Sequence, residues 1–431
     1  MNDILFKSDL YKKTVNDLIE SYSEHIKWNK NFVTYTKEDL IQYILTYAAE
    51  KNFIIKDRGV LEIAKDNYGF IRSFENSYNI SKNNSYVQSS KIKKYRLRIG
   101  DYIEGSISFC TKQRKSVLQS LDFINNQAVN SEKRHLVFYD LTSDFPRQRI
   151  NIERSDSITS RLVDLFVPIG LGQRALIVAP PKTGKSTLLY DLCRSFIQSN
   201  TKIDSIFFLM IGERPEEADQ AKIHLSQNAH VVYSTFDDIP SRQIQVADMT
   251  ISHARKLAET GKNVAVFVDS LTRLVRAYNQ HVPHSGKVLS GGIDYAALQK
   301  GKEFFGTARN IMEGGSITMI CTCLVDTGSR MDEVIFEEFK GTGNAEIHLS
   351  RKASERRVFP AISIAKSGTR RSDYMMTLQN NTCTELIRRT VTSLDDVDAL
   401  LLVMKKMKAT ATNKQLLDNV MHVSDSMSSK D

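Results

Sequence analysis

Between Thr36 and Glu50 the apolar residues Leu40, Ile41, Ile44, Leu45 and Ala48 recur at helical spacing behind a Thr36-x-x-Asp39 capping box, which predicts an amphipathic helix over 36–50. Residues 1–55 accordingly read as a small helical subdomain. From Gly59 the texture changes to short alternating runs broken by Asn, Ser and Gly clusters, the pattern of a small β-barrel, and 56–125 is assigned to it. The polar stretch that follows reads as a linker over 126–160. Beyond Arg161, apolar runs at Ala175–Val178, Ile206–Ile211, Val231–Tyr233, Val264–Val268 and Ile317–Val325 alternate with helical patterns. That alternation predicts a parallel sheet with crossover helices, an α/β domain over 161–431. The polar tail from Ser424 to Asp431 is expected to be disordered.

Length agrees with this division, since 431 residues exceed what one core usually supports. A hydrophobic fraction of 41% and a charged fraction of 25% are ordinary for a globular protein, and only the net charge of +9 stands out. It suits a polyanionic partner, although a lysine-rich surface in a chain rich in Asn, Ile and Lys produces the same sign. Five cysteines without a C-x-x-C spacing argue against a disulfide framework or a zinc site and read as buried thiols in a reducing cytosol. No run of 18 apolar residues occurs, and Asp3, Lys7 and Asp9 charge the amino terminus, so neither a membrane span nor export is expected.

The chemistry is concentrated in the α/β half. Ala179-Pro180-Pro181-Lys182-Thr183-Gly184-Lys185-Ser186-Thr187 follows a predicted strand and opens a predicted helix, the context a phosphate-binding loop requires. Backbone N–H groups and the helix dipole are expected to face phosphate there, with Lys185 reaching the β and γ oxygens of a nucleotide and the Ser186 hydroxyl ligating Mg²⁺. Ala179 replaces the first glycine of the usual pattern. The run Val264–Asp269 ends a buried strand in a carboxylate, suited to the Mg²⁺ shell. Glu213 stands after a third strand at the crevice where ligands of such sheets bind, placed to orient a water.

These segments, with Gly212–Glu217, Val268–Asn279, Val282–Gly292, Asp326–Asn344 and Arg357–Ile362, resemble the bacterial transcription termination factor Rho family. The match is dense from Arg161 to Arg371 and looser over Gly59–Arg114. The resemblance implies a RecA-like ATPase domain in a homohexamer, an RNA-dependent ATPase and helicase that acts on nascent RNA and ends transcription in the cytoplasm. RNA polymerase and elongation factors are its implied partners. Glu213 becomes the catalytic carboxylate, Arg214 a neighbouring sensor, Phe359 the ring on adenine, and Arg370, in Ser367-Gly368-Thr369-Arg370, an arginine finger for the adjacent subunit. Val282–Gly292, with Ser285, Gly286 and Lys287, and Thr327–Lys340, with Gly328, Ser329 and Arg330, become two pore loops that grip RNA. Glycines flank Lys287 and Arg330, which suits mobile loops with basic tips.

In the amino-terminal half, Tyr68, Phe70 and Arg72 alternate onto one strand face, a stacking platform for single-stranded RNA, with Gly69 read as keeping backbone bulk away from the bound strand. The pattern is similar to the family's primary RNA-binding fold, an OB-type barrel. Tyr86 is retained. Asn84 and Gln113 stand where the family has acids that read cytosine, Lys115 where it has an aromatic, and Ala64 where it has a larger apolar residue. Two rival readings remain. The catalytic subunit of a rotary or export ATPase shares the core and the Gly212-Glu213-Arg214 motif but needs no stacking strand. An RNA chaperone using only the barrel leaves Lys185, Asp269 and Glu213 without a task.

Overall fold

The computed structural model describes residues 4–26, 35–129, 136–225, 228–283 and 285–428. They divide into two compact units, Met1–Phe138 with Asp248–Thr260, and Tyr139–Ala247 with Gly261–Asp431.

The first unit opens on a strand, β1 (Ile4–Phe6), before helices Lys7–Leu10, Val15–Tyr22 and Lys37–Glu50. The third helix carries the predicted capping box, Thr36 and Asp39 each accepting from the other's backbone N–H, and buries the five expected apolar residues. The strand corrects the all-helical reading of this region. Three residues carry no periodic signal, and β1 exists because it pairs in parallel with β2 (Ile54–Ile63). Then come β3 (Gly69–Arg72), β4 (Ser85–Val87), β5 (Tyr102–Cys110), β6 (Lys115–Leu118), β7 (Phe123–Ile124) and β8 (Gln127–Ala128). Their order is β1-β2-β3-β4-β6-β5-β7-β8, and a further β2–β5 pairing closes five strands into a barrel. Leu61, Ile71, Val87, Ile103 and Leu118 fill it and join the core of the helices.

Lys7 is a cation buried inside this unit. The Lys7 side chain is 1% exposed, and its ammonium donates to the carbonyl of Asn83, to Ser85 Oγ at 2.8 Å and to Ser116 Oγ at 3.4 Å, with Asp57 Oδ2 at 3.4 Å. It ties β2, β4 and β6 together. Burial lowers the Lys7 pKa, against the opposing pull of Asp57.

The second unit holds β9 (Ser143–Asp144), β10 (Arg174–Ala179), β11 (Ser205–Glu213), β12 (His230–Thr235), β13 (Asn263–Asp269), β14 (Val288–Leu289), β15 (Ile293–Asp294), β16 (Arg309–Ile311), β17 (Ser316–Leu324), β18 (Ala345–His348) and β19 (Gly368–Thr369). The main order is β12-β11-β13-β17-β10-β18-β19, parallel until β19 turns back antiparallel on β18. All five predicted strands are present.

Three expectations need correction. The stretch 126–160 is not a linker throughout: Ser143–Asp144 pairs with β16, and Ile150 and Ile152 lie in the core of the second unit. Two alternating apolar residues in a polar stretch were too weak a pattern to show it. The tail continues the last helix, Asn413–Ser428, so 424–428 are helical, and 429–431 lie outside the described residues. Cys110 is exposed, while the other four cysteines are buried. No helix among the described residues is long and apolar enough to cross a membrane.

Arg161 explains how the carboxyl-terminal helices attach. It is 1% exposed, and its guanidinium donates to the carbonyls of Met407 (2.7 Å) and Thr410 (2.6 Å), to Thr410 Oγ1 (2.9 Å) and to Asn413 Oδ1 (3.2 Å). It thereby satisfies the end of helix Asp396–Lys408, whose last carbonyls have no partner within the helix. Arg161→Met leaves the Thr410 carbonyl and Asn413 Oδ1 buried without their donor, while the Met407 carbonyl keeps the Thr410 N–H, and should lower stability in urea unfolding by about 3 kcal/mol; a loss under about 1 kcal/mol would contradict this role.

Candidate nucleotide site and nucleic-acid interface

The phosphate loop leaves the carboxyl end of β10 at Ala179 and enters helix Lys185–Ile197. Lys182 (φ +64°) and Gly184 (φ +84°) both take left-handed backbone, and Thr183 Oγ1 closes the turn on the Pro180 carbonyl at 2.7 Å. Pro181 begins this turn, and Ser186 and Thr187 fall in the first helical turn, whose unpaired N–H groups suit an anion. Ala179 is fully buried at the strand end, so a methyl fits where the usual pattern has glycine.

Four charges meet beside this loop. The Lys185 ammonium contacts Asp269 Oδ1 and lies 3.5 Å from Glu213 Oε1. Arg273 approaches Glu213 Oε2 at 3.2 Å. Ser186 Oγ is 3.4 Å from Asp269 Oδ2, and Thr322, on β17, donates to Asp269 Oδ1 at 2.8 Å. A hydroxyl and a carboxylate this close are hard oxygen donors of the kind Mg²⁺ takes. Burial disfavours the Lys185 ammonium, but Asp269 and Glu213 outweigh it and hold its pKa above the ordinary value. Burial, and after it Asp269, pushes the Glu213 carboxyl up to about 7, against Lys185 and Arg273.

Glu213 is not in a loop after the strand, as its polar surroundings suggested, but is the last residue of β11. A bulge at Gly212, at φ +63°, shifts the register between Ile211 and Glu213 and re-aims the chain. Arg214 is exposed, and the guanidinium on Glu213 is that of Arg273. Arg273 and Thr322 were missed, although Arg273 stands four residues after Asp269 and one helical turn in. Phe359 is 45% exposed, and its ring lies 3.5 Å from where a Cβ on Gly184 would stand. It lines a cleft of about 700 Å³ with Arg154, Thr159, Lys182, Thr183 and Thr187.

Arg370 lies elsewhere. β18 pairs with β10 through Ala345↔Ala175, and β19 pairs with β18 through Thr369↔Ala345, so the chain leaves β19 at the amino edge of the sheet. Arg370 is exposed there, its guanidinium 3.3 Å from the Lys340 carbonyl.

Of the two candidate pore loops, the first runs from Val282 and contains the β14–β15 hairpin, while His284 lies outside the described residues. The Ser285 N–H donates to Asp294, and the Lys287 N–H to Ser285 Oγ. Gly286 has open space around it, and Lys287 is exposed. The second loop is shorter than expected, because Arg330–Lys340 is a helix. What remains, with Gly328 at φ +76° and Ser329, is pinned by Thr327 Oγ1 on Asp332, which Arg276 grips through both oxygens at 2.7 Å. Arg330 is exposed at the first helical position, and a Cβ on Gly291 would meet its backbone at 2.8 Å, so the two segments abut.

In the first unit, Tyr68, Phe70 and Tyr86 form one aromatic group, with ring centroids 5.7, 5.5 and 6.0 Å apart. All three are half-buried, leaving ring surface to solvent. Arg72 does not join them as a free stacking plane. It is 4% exposed, its Nε is 2.6 Å from Glu62, and its guanidinium lies over the Phe70 ring at 4.8 Å. Gly69 also has a different reason from the expected one. It points inward, and a Cβ would meet the Glu62 carbonyl at 2.7 Å and Leu61 at 2.8 Å. Asn84 is 7% exposed and donates its Nδ2 to the Asn79 carbonyl at 2.9 Å.

Comparison with known proteins finds two families along the chain. Residues 57–130 match the model of the Rho termination factor RNA-binding domain, and 159–369 match the nucleotide-binding domain of the ATP synthase alpha/beta family. The chain is 42% identical to transcription termination factor Rho of Chromobacterium violaceum, over 96% of this chain and 99% of that one. It is 43% identical to that of Aquifex aeolicus, over 88% of both. Among solved structures, the ATPase of the enteropathogenic E. coli type III secretion system superposes with a TM-score of 0.56 at 21% identity, over 71% of this chain and 77% of that one. That likeness shows the fold of the ATPase core.

The raised Glu213 pKa fixes a pH dependence. A carboxyl titrating near 7 holds its proton as pH falls below that value, and a protonated Glu213 cannot act as a base toward water. The kcat/KM for ATP should therefore fall on the acid side with a midpoint near 7. A profile flat down to pH 5.5 would contradict it.

Proposed function

Since the chain belongs to the transcription termination factor Rho family, we propose that copies of it close into a homohexameric ring whose ATP sites are each completed by the neighbouring subunit. The protein is an RNA-dependent ATPase and RNA helicase of that family, acting in transcription termination. Single-stranded RNA is held first on the Tyr68–Phe70–Tyr86 rings and then by Lys287 and Arg330 in the pore. RNA polymerase with its elongation factors, in the cytoplasm, is the setting.

The observation that carries the reading is the placing of charges on opposite edges of one sheet. Lys185, Glu213 and Asp269 lie at the carboxyl edge, whereas Arg370 leaves β19 at the amino edge. From Ala175 to Ala179 alone the sheet spans about 13 Å, with the phosphate loop beyond, which puts the subunit's own γ-phosphate out of Arg370's reach. A guanidinium useful to hydrolysis must then serve a different copy.

In this scheme ATP displaces the Lys185 ammonium from Asp269 and draws it to the β and γ oxygens. Ser186 and, through the coordination shell, Asp269 would hold Mg²⁺, which would supply charge neutralisation at the phosphates. Thr322 keeps the Asp269 carboxylate oriented, and Arg273 does the same for Glu213, which takes the proton of the attacking water. Phe359 packs on adenine. Arg370 of the adjoining subunit balances charge on the transferring phosphoryl group, an effect of about 10³–10⁵ in rate for such fingers.

Mixing subunits tests this. Pure Arg370→Ala and pure Glu213→Ala rings should both be inactive, while mixed rings contain interfaces with both residues intact and should regain RNA-dependent ATPase activity. Wild-type rings doped with each mutant control for stalling at dead interfaces. No recovery in mixed rings, with proportional activity in the controls, would overturn the shared site.

A further inference from the structure

The geometry points to an RNA platform in the first unit that selects bases presenting a carbonyl, uracil and guanine, over the amino bases cytosine and adenine, through the ammonium of Lys115. This inference rests on reading the Tyr68–Phe70–Tyr86 face as the RNA platform.

Paired residues of neighbouring strands share a face, so the register maps the outer surface of the barrel. Glu62↔Phe70, Phe70↔Tyr86, Tyr86↔Val117 and Val117↔Ser108 run across it as one row. Two residues along β6, Lys115 pairs with Cys110 and points to the same side, and both are exposed. The parallel register of β4 and β6 sets Asn84 level with Lys115, while Gln113 falls in the turn before β6. One strand across and two residues along places Lys115 roughly 8 Å from Tyr86 between Cα atoms. An extended lysine stem covers most of that distance, which brings its ammonium within reach of the edge of a base stacked on Tyr86. The register is not free to slip, because buried Lys7 binds Ser85 of β4 and Ser116 of β6 directly beneath.

Donors and acceptors at this level decide what is read. The Asn84 Nδ2 is committed to the Asn79 carbonyl, and Arg72 is buried on Glu62. The Lys115 side chain makes no hydrogen bond or ion pair among the described residues, which leaves its ammonium available as a donor. Uracil O4 and guanine O6 accept from such a group, whereas cytosine N4 and adenine N6 present their own donors. A carboxylate at the same level would choose the amino bases.

The test measures fluorescence anisotropy of the full chain, without nucleotide, on short oligouridine, oligocytidine and oligoadenosine. Oligouridine should bind about fivefold more tightly than the other two, as a single good base contact allows. Lys115→Met should erase that ratio by weakening oligouridine alone. Equal weakening of all three would make Lys115 a phosphate contact and overturn the inference, as would a wild-type preference for oligocytidine. Tyr86→Ala separates the underlying reading, because loss of a stacked base should weaken all three alike. Binding unchanged by Tyr86→Ala would remove the platform itself, and the inference with it.

Discussion

The contact on which the motor unit depends is the Lys185 ammonium lodged between the buried carboxylates of Asp269 and Glu213. Burial first, and the neighbouring Asp269 carboxylate after it, disfavour the Glu213 anion and raise its pKa. One ammonium and the Arg273 guanidinium make the arrangement tolerable. The same lysine is the group an incoming triphosphate attracts. In the scheme proposed above, a bound triphosphate would draw Lys185 away from the acids and Mg²⁺ would take over part of its charge. The sheet makes this possible, since β10, β11 and β13 each deliver one member to the same edge.

How much of this was legible follows the range of the interactions. The phosphate loop is contiguous, and its prolines, glycine and Lys185-Ser186 pair carry their meaning in sequence. Asp269 was readable because a run of buried residues announced the strand that ends on it. Glu213 was readable as a residue but not as the end of a strand, because the bulge at Gly212 has no periodic signature. Arg273 and Thr322 were invisible for another reason: each acts across to a different element, and neither helix spacing nor strand alternation names a partner. Gly69 shows a correct position with a wrong cause. Glycine is required there by the backbone of the neighbouring strand β2, not by a ligand.

The barrel unit repeats the lesson through Lys7. In sequence it is one charge near the amino terminus and was counted only as evidence against an apolar leader. In the structure it is the buried pin that locks β4 against β6, reaching residues 78 and 109 positions away. Long-range burial of a charge is costly unless every donor finds an acceptor, and here a carbonyl, two hydroxyls and a carboxylate supply them. Arg161 does the same in the motor unit for the end of a distant helix. In both units a buried cation fastens elements on which the ligand surfaces are built.

RNA governs ATP turnover in a motor of this family. The most direct measurement is steady-state phosphate release by the intact protein with saturating Mg·ATP, with and without single-stranded RNA. Turnover should be low alone and strongly stimulated by RNA. Rapid hydrolysis indifferent to RNA, as in an ATPase that moves no nucleic acid, would contradict it, and so would no hydrolysis under either condition.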